Sequence, residues 1–579
     1  MLDAKFTESL GKIISLGTFL TCILVTPNLA LDPINLPKMV VLAITAGAVL
    51  GMLFSSRSSL TKIGSKTMLC LLIVCLAILL ISIGASDQRL TQGIFGAHGR
   101  NTGLLTYFSF MVLLFGAFHI SSQKELKRFT KTLQIAGLLS AAYGLIQFFG
   151  VDPAGWDIYA SPVVGFLGNT DFQSAFLAIF ACAALSQGFF RQSNRWLNFM
   201  FAIFALVIVF LTQAKQGLIA FILGASISLL VFALKKNWKV GTTLYLVGIV
   251  SGITLIALGV LNLGPIGHII YKSSLEARFY YWQAAVRAFK DNVIFGVGLD
   301  AFGDYYGRYR TAEAVAWNTQ PTNAAHNVFL DYAANGGVFF LVLNLVLVAW
   351  VLKSFYCVVI RDKDYNVEFI ALFSGWVAFQ AQSLISINQI GLAVWNWVIS
   401  GLLIGYASKL MAVEAKTAFH EKSSKRLRVN KEVQQSKLKG GALVGGLVGI
   451  VLMSVIAIPA YVGSVQFWNS MNSRDLKKIE SAAYIWPQDE FKYWSVLLTI
   501  GGNASTIDES TSDPNPTEIQ KQIDDLRKIA LAINKDALRD FPNSMHLWRL
   551  YAKNPLNSKS ELTLAMRKIK ELDPNNPVL

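Results

Sequence analysis

The chain has 579 residues, of which 54% are hydrophobic and only 15% are charged, against about 25% charged residues in ordinary soluble proteins. This composition excludes a soluble globular protein and predicts a polytopic membrane protein. The net charge of +16 does not indicate nucleic-acid binding, because the lysines and arginines fall in short loops between apolar runs.

The apolar runs predict about thirteen transmembrane helices and therefore an all-α fold. Basic loops alternate with loops that carry few charges, so the basic ones are assigned to the cytoplasmic side. No cleavable signal peptide is expected, because a second apolar run follows the first directly and no small-residue cleavage site separates them. The spans for which the sequence indicates both ends cover approximately residues 10–31, 39–54, 68–84, 133–150, 338–353 and 442–462.

The order of apolar, basic and amphipathic stretches predicts four regions. Residues 1–411 form a membrane domain with a large outer loop at 263–335, and residues 412–440 form a basic cytoplasmic linker. Residues 441–463 are the last span, and 464–579 form an extracytoplasmic module of amphipathic helices. The interval from Pro542 to Pro574 approaches the period of about 34 residues of tetratricopeptide repeats, which this tail resembles.

The outer loop concentrates cationic and aromatic side chains beside the membrane. Arg278 precedes Trp282 by one helical turn, and His326 lies near the end of the loop. Such groups suit an anionic ligand on a lipid carrier, because a guanidinium can bond two phosphate oxygens at once. The remaining arginines of the loop are expected to be solvated or to line a substrate channel; they are Arg287, Arg308 and Arg310.

Several short motifs resemble those of one family. They are ARFYYWQAAVRAF with Arg278 and Trp282, FGVGLDAF with Gly296 and Gly298, AAHNVFLDYAANGG with His326 and Asn327, GRNTGLLTY with Arg100, GFLGNTDFQSAFLA, and TQAKQG with Lys215 where arginine is usual. Together they are similar to the O-antigen ligase and polymerase family of membrane glycosyltransferases. The resemblance extends roughly over residues 10–411.

The resemblance implies transfer of an oligo- or polysaccharide from an undecaprenyl-diphosphate carrier to a hydroxyl acceptor. The reaction would be inverting, would use no metal or cofactor, and would occur at the outer face of a bacterial cytoplasmic (inner) membrane. Arg278 and His326 would be the catalytic residues, and His326 would either activate the acceptor hydroxyl or hold the diphosphate. Substrate binding is expected from Lys215, Arg100, Trp282 and Asn327, although a lysine cannot supply the bidentate contact of an arginine.

Several alternatives remain open at this point. The acceptor could be a lipid core, another glycan repeat or a protein side chain, and the C-terminal helices could bind a protein partner. A glycolipid flippase would instead require charges within the spans and symmetry between halves of the chain. A scaffold anchored in the membrane would not need thirteen spans.

Overall fold

A computed structural model describes residues 4–55, 63–155, 163–260, 263, 273–318, 321–422, 440–473, 475–509 and 516–576. Within these ranges the chain forms 22 α-helices and no β-strand, which confirms the all-α fold. Seven of these helices are long and apolar enough to cross a membrane, and three further apolar helices are shorter. The protein is therefore an all-α polytopic membrane protein.

The helices fall into three groups along the chain. Those up to the large loop are α1 (Ala4–Ile23), α2 (Asn35–Ser55), α3 (Ile63–Ala85), α4 (Leu90–Phe95), α5 (Leu104–Ile120), α6 (Gln123–Phe148), α7 (Thr170–Phe190), α8 (Arg195–Leu211), α9 (Lys215–Lys235) and α10 (Lys239–Val260). The loop contributes α11 (Ser273–Asp291), α12 (Phe302–Tyr309) and α13 (Ala312–Trp317). After it come α14 (Val328–Phe355), α15 (Val367–Ser383), α16 (Ile390–Lys422), α17 (Gly440–Met471), α18 (Leu476–Ala482), α19 (Glu490–Glu509), α20 (Pro516–Asp540), α21 (Met545–Lys553) and α22 (Lys559–Leu572).

Each of the thirteen predicted spans coincides with a described helix, namely α1–α3, α5–α10 or α14–α17. Four predicted limits differ from the helix ends by eight residues or more. The helix of the tenth span begins at Val328 and not near residue 338, and that of the last ends at Met471 and not near residue 462. The fifth span begins at Gln123, so the basic segment assigned to a loop is the first part of α6.

The first span ends at Ile23 and not near residue 31. The chain then turns, and the buried Asp32 carboxylate starts α2 by accepting hydrogen bonds from the N–H groups of Asn35 (2.9 Å) and Leu36 (3.1 Å).

The central helices α7 and α16 are buried, whereas α3, α9, α14 and α17 expose many apolar side chains on their outer faces. Exposed apolar faces of this length suit contact with lipid. Helix α17 packs along α2 with almost no space between the backbones. A Cβ atom added to Gly47 or Gly51 would collide with the carbonyl group of Gly449 or Gly445, respectively, so only glycine fits at this crossing.

The loops gather at two opposite ends of the helices. At the end that we call the loop face, Asn35 Nδ2 donates to the carbonyl oxygen of Gly99 (2.6 Å) and Gln389 Nε2 donates to Asn35 Oδ1 (2.8 Å). At the opposite end, the basic face, Lys409 Nζ donates to the carbonyl oxygen of His119 (2.8 Å). The loops that the sequence assigns to the outer side thus lie together at the loop face, and those that it assigns to the cytoplasmic side lie together at the basic face. The basic linker predicted at 412–440 falls largely on residues 423–439, which lie outside the described ranges.

The large loop is held against a break in α14. Gly337 has φ +73° inside this helix, and an added Cβ would collide with the carbonyl group of Ile294. The N–H of Val297 donates to the carbonyl oxygen of Ala334 (2.8 Å), and that of Gly298 donates to the carbonyl oxygen of Asn335 (3.1 Å). The glycines of FGVGLDAF and the second glycine of the Gly-Gly pair therefore shape one junction between the loop and the membrane domain.

The C-terminal helices α18–α22 have their own apolar core and contact the loop face. Arg310 Nε donates to Asp573 Oδ1 (3.0 Å), and Arg308 lies 3.8 Å from Glu571. Arg310 is only 2% exposed, so it is not a solvated charge. Its partner lies 263 residues further along the chain. The likeness of these helices to tetratricopeptide repeats stays a prediction.

Candidate active site

His326 occupies a strained position on the loop face. Its φ of +52° is in the left-handed region, which a residue with a side chain seldom adopts. Nδ1 of the ring lies 3.2 Å from the carbonyl oxygen of Ala324, which can only accept. Nδ1 therefore carries the hydrogen in the neutral ring and Nε2 keeps its lone pair. The imidazole also lies 5.2 Å from the ring of Tyr281.

The neighbours of His326 hold this conformation. The side-chain oxygen of Asn327 accepts from the N–H groups of Phe329 and Leu330 (3.0 Å each) and caps α14, while its Nδ2 donates to the carbonyl oxygen of Leu384 (2.9 Å). The indole N–H of Trp282 points at the carbonyl oxygen of His326 at 3.5 Å. In this state Asn327 and Trp282 position the histidine.

Arg100 is buried behind the histidine between two carboxylates. Its Nε lies 3.0 Å from Asp300 Oδ1, and its Nη2 lies 3.8 Å from Asp331 Oδ2. Burial acts to lower the pKa of Arg100, but the two carboxylates outweigh it and raise the pKa, so the guanidinium stays charged. Its Nη1 is buried and makes no hydrogen bond to any described residue.

Asp331 and Asp300 tie this arginine to the surrounding backbone. Asp331 Oδ1 accepts from the N–H of Ala325 (2.8 Å), which links Arg100 to the residue before His326. Asp300 Oδ2 accepts from the N–H groups of Ala97 (2.9 Å) and Thr102 (3.3 Å). The segment that carries Arg100 and the segment that carries His326 are thus held together as one polar unit.

Arg278 approaches from α11 on another side of the histidine. Its Nη2 lies 3.3 Å from Asp171 Oδ2 at the start of α7. Its side chain is 16% exposed and that of Asp171 is 36% exposed, so solvent or a ligand can reach the pair. A diphosphate arriving here would compete with Asp171 for the guanidinium.

Lys215 lies exposed at the first position of α9, beside the same end of α7. The neighbouring Gln216 donates through Nε2 to the carbonyl oxygen of Asp171 (2.8 Å). A lysine at a helix N-terminus adds its charge to the positive end of the helix dipole. This location is unfavourable for the helix but raises the positive potential that an anion would meet.

The environment keeps the His326 imidazole neutral. Burial lowers the pKa of His326 to about 4, the hydrogen bond to Ala324 acts in the opposite direction, and the positive charges of Arg278 and Arg100 lower the pKa further. Both arginines therefore lie close enough to act on the ring. An uncharged imidazole with a free Nε2 can accept a proton near neutral pH.

The structure brings His326, Arg278, Arg100, Trp282 and Asn327 together, with Lys215 at the edge of the group. The sequence analysis assigned no role to the three carboxylates that pair with or orient these cations. They are Asp171, Asp300 and Asp331. Each lies within a quoted motif, in GNTDF, GLDAF or HNVFLD, so the presence of an aspartate in three of the motifs was the available signal.

Residues 199–345 match the family model described as O-Antigen ligase. The resemblance inferred from the motifs is thereby confirmed for this segment, which contains Lys215, Arg278, Trp282, His326 and Asn327 but not Arg100. The match supports glycan transfer as the general class of activity. No curated protein matches the chain.

Proposed function

We propose that the protein transfers an oligo- or polysaccharide from an undecaprenyl-diphosphate carrier to a hydroxyl acceptor. The observation that carries the proposal is a neutral histidine within the field of two arginines, Arg278 and Arg100, whose Nε2 makes no hydrogen bond to a residue that the structure describes. Transfer from a lipid diphosphate needs a base for the acceptor and positive charge for the departing group, and this arrangement offers both.

In this proposal each residue has a distinct task. The acceptor hydroxyl attacks the anomeric carbon of the donor glycan while its proton passes to Nε2 of His326. The bond between that carbon and the diphosphate oxygen breaks with its electron pair, and undecaprenyl diphosphate leaves. Arg278 bonds the departing phosphates, whereas Arg100 and Lys215 add positive potential. Attack opposite the leaving group inverts the anomeric centre.

The proposal places the loop face outside the cytoplasmic membrane. The basic face carries Lys409, Arg361 and the first part of α6, in agreement with the positive-inside rule. A lipid-linked donor would then hold its diphosphate at the level of Arg278 and Lys215, at the ends of α7 and α9. Ligase, polymerase and protein glycosyltransferase activities would share these residues and differ only in the acceptor.

The test uses purified full-length protein in proteoliposomes with an undecaprenyl-diphosphate-linked glycan. Release of undecaprenyl diphosphate and transfer of the glycan to an added cell-envelope extract are both measured. Arg278→Ala should slow transfer about 30- to 1000-fold, which corresponds to about 2–4 kcal/mol of lost charge stabilisation. The matched control is Arg539→Ala, because Arg539 is an exposed arginine on α20, far from this group. Movement of the lipid-linked glycan across the bilayer without any transfer would instead identify a flippase.

A further inference from the structure

A cleft of about 520 Å³ lies between the loop face and the C-terminal helices. Gln92, His98 and Asp304 line it from the membrane domain, and Trp494 and Arg549 line it from the C-terminal helices. This volume is within the range of about 300–1,000 Å³ of small-ligand sites. Neither part of the chain forms the cleft alone.

The cleft reaches the candidate active site. Asp300 lines one end of it and is also the ion-pair partner of Arg100. Thr322 and Asn323, which line it as well, precede His326 by only a few residues. The cleft therefore adjoins the candidate active site through the partner of Arg100 and through the segment that leads to His326, although His326 itself does not line it.

Four rings follow one another along one wall, which we call the aromatic shelf: His98, Phe491, Trp494 and His546. The planes of Phe491 and Trp494 are inclined by 47°, and those of Trp494 and His546 by 61°, so the shelf presents both faces and edges of rings. His98 stacks on Phe491 with ring centres 4.3 Å apart, Phe491 lies 5.6 Å from Trp494, and Trp494 lies 6.1 Å from His546. His546 is exposed, and the other three rings are partly exposed. The electron-rich face of such a ring attracts the positive edges of C–H groups, which sugar rings present on their flat faces.

Directional hydrogen-bonding groups surround the shelf. Asp304 Oδ2 accepts from Gln92 Nε2 (2.9 Å), and Glu490 accepts from the hydroxyl of Ser544. Burial, and then the charge of Glu490, raises the pKa of Asp304 to about 8, and burial raises that of Glu490 as well. Near neutral pH the Asp304 carboxyl group therefore retains a proton, so it can both donate and accept.

One further cation in the cleft has unused donors. Arg549 lies 3.7 Å from Asp573, yet its Nε and Nη2 are buried and make no hydrogen bond to any residue that the structure describes. Buried donors without partners cost free energy, and a bound hydroxyl would satisfy them. Acidic and basic groups both line the cleft, so it favours neither a strongly anionic nor a strongly cationic ligand.

We propose that this cleft binds the acceptor, and that the acceptor is a saccharide chain whose rings lie on the aromatic shelf. The inference rests on the proposed function, which it deepens by naming the acceptor class. Exposed ring faces with mixed donors and acceptors around them suit a saccharide, because each sugar ring has C–H faces and a hydroxyl edge. An extended peptide would need a row of backbone donors and acceptors, whereas the groups used here are side chains.

Binding is measured without the donor, so that the result does not depend on activity. The purified full-length protein is applied to a glycan array of neutral oligosaccharides and to an array of serine- and threonine-rich peptides. The wild type should bind a subset of glycans and no peptide. Trp494→Ala should weaken glycan binding at least about tenfold, and Trp494→Phe, which keeps a ring, should weaken it less.

Arg549→Ala should also weaken glycan binding, while the matched control Arg539→Ala should leave it unchanged, because Arg539 is 78% exposed outside the cleft. Peptide binding in place of glycan binding, the absence of binding to either array, or a Trp494→Ala variant with wild-type affinity would overturn the inference. Binding of the lipid-linked donor is measured separately. Donor affinity that is insensitive to Arg278→Ala would contradict the proposed function, whereas loss of glycan binding alone concerns only the cleft.

Discussion

If His326 is the base, the low pKa of its imidazole sets the pH dependence of transfer. The neutral ring is the active form, so activity should be present above the pKa of about 4 and lost below it. At pH 5.5 a group with that pKa is about 97% neutral, whereas a histidine with the ordinary pKa of about 6.5 is only about 9% neutral. The two cases differ about tenfold in rate at a single pH.

The assay is kcat/KM for transfer between pH 4.5 and 8, since this ratio reports ionisations of the free enzyme and free substrate. The groups that act on the imidazole are the guanidinium groups of Arg278 and Arg100 and the Ala324 carbonyl, which does not titrate. A diphosphate that is esterified at both ends has no proton to lose there either. Asp331, which pairs with Arg100, does titrate within this range, because burial raises its pKa to about 6. Intrinsic fluorescence at each pH confirms that the protein stays folded.

We expect a flat profile from about pH 5.5 upward, and a loss of about 10²- to 10⁴-fold in His326→Ala with little change in donor affinity. His119→Gln is the matched control, because His119 lies near the basic face and bonds to Ser65 (2.8 Å). A rise in rate centred between pH 6 and 7 that persists in Asp331→Asn would refute the buried, neutral imidazole, because the variant removes the carboxyl group whose pKa is about 6. Activity that falls as pH rises, together with loss of donor affinity in His326→Ala, would show that a protonated His326 holds the diphosphate.

Three further predictions concern the guanidinium, the helix break and the topology. Arg278→Lys should recover only part of the activity that Arg278→Ala loses, because an ammonium lacks paired donors; full recovery in the transfer assay would argue against a bidentate contact. Gly337→Ala should lower the free energy of unfolding by about 2–4 kcal/mol, because φ is +73° and the Cβ meets a backbone carbonyl. Gly248→Ala, where a Cβ would meet open space, should be nearly neutral in the same thermal-unfolding measurement. In intact cells, an impermeant maleimide should label a single cysteine at Asn323 and not one at Lys363; the reverse pattern would invert the proposed orientation.

The transmembrane helices could be predicted because their signal is local. A run of about 20 apolar residues determines its own location in a bilayer, so thirteen predicted spans coincide with helices. Their ends were less predictable. Hydropathy cannot distinguish an apolar turn from the end of a helix, so it assigns the apolar residues after Ile23 to the first span. The hydrogen bonds by which Asp32 caps α2 leave no signal in hydropathy either.

The candidate site was predictable only in part, for a related reason. Motif resemblance identified His326 and the cations from residues close together in the chain, but pairings between distant segments leave no local signal. Arg310 and Arg308 lie in the same stretch of sequence, yet Arg310 is buried. Its partner is Asp573, the C-cap of the last described helix, which packs over it. The aromatic shelf likewise joins His98 to residues about 400 positions later, so the cleft could not be derived from any single stretch.

Stability alone does not account for the polar groups around His326. Buried ion pairs contribute little net stability, and apolar residues of similar volume often serve the fold as well or better. Here Arg100 is buried between Asp300 and Asp331, its Nη1 makes no hydrogen bond to a residue that the structure describes, and His326 has a left-handed backbone. These unfavourable contributions to stability are concentrated around His326, whose imidazole is neutral. A fixed positive charge beside a neutral base is what transfer from a diphosphate to a hydroxyl requires, because the charge is already oriented when the leaving group develops its own. The local costs are therefore a reason to assign chemistry to this site that is independent of the motifs.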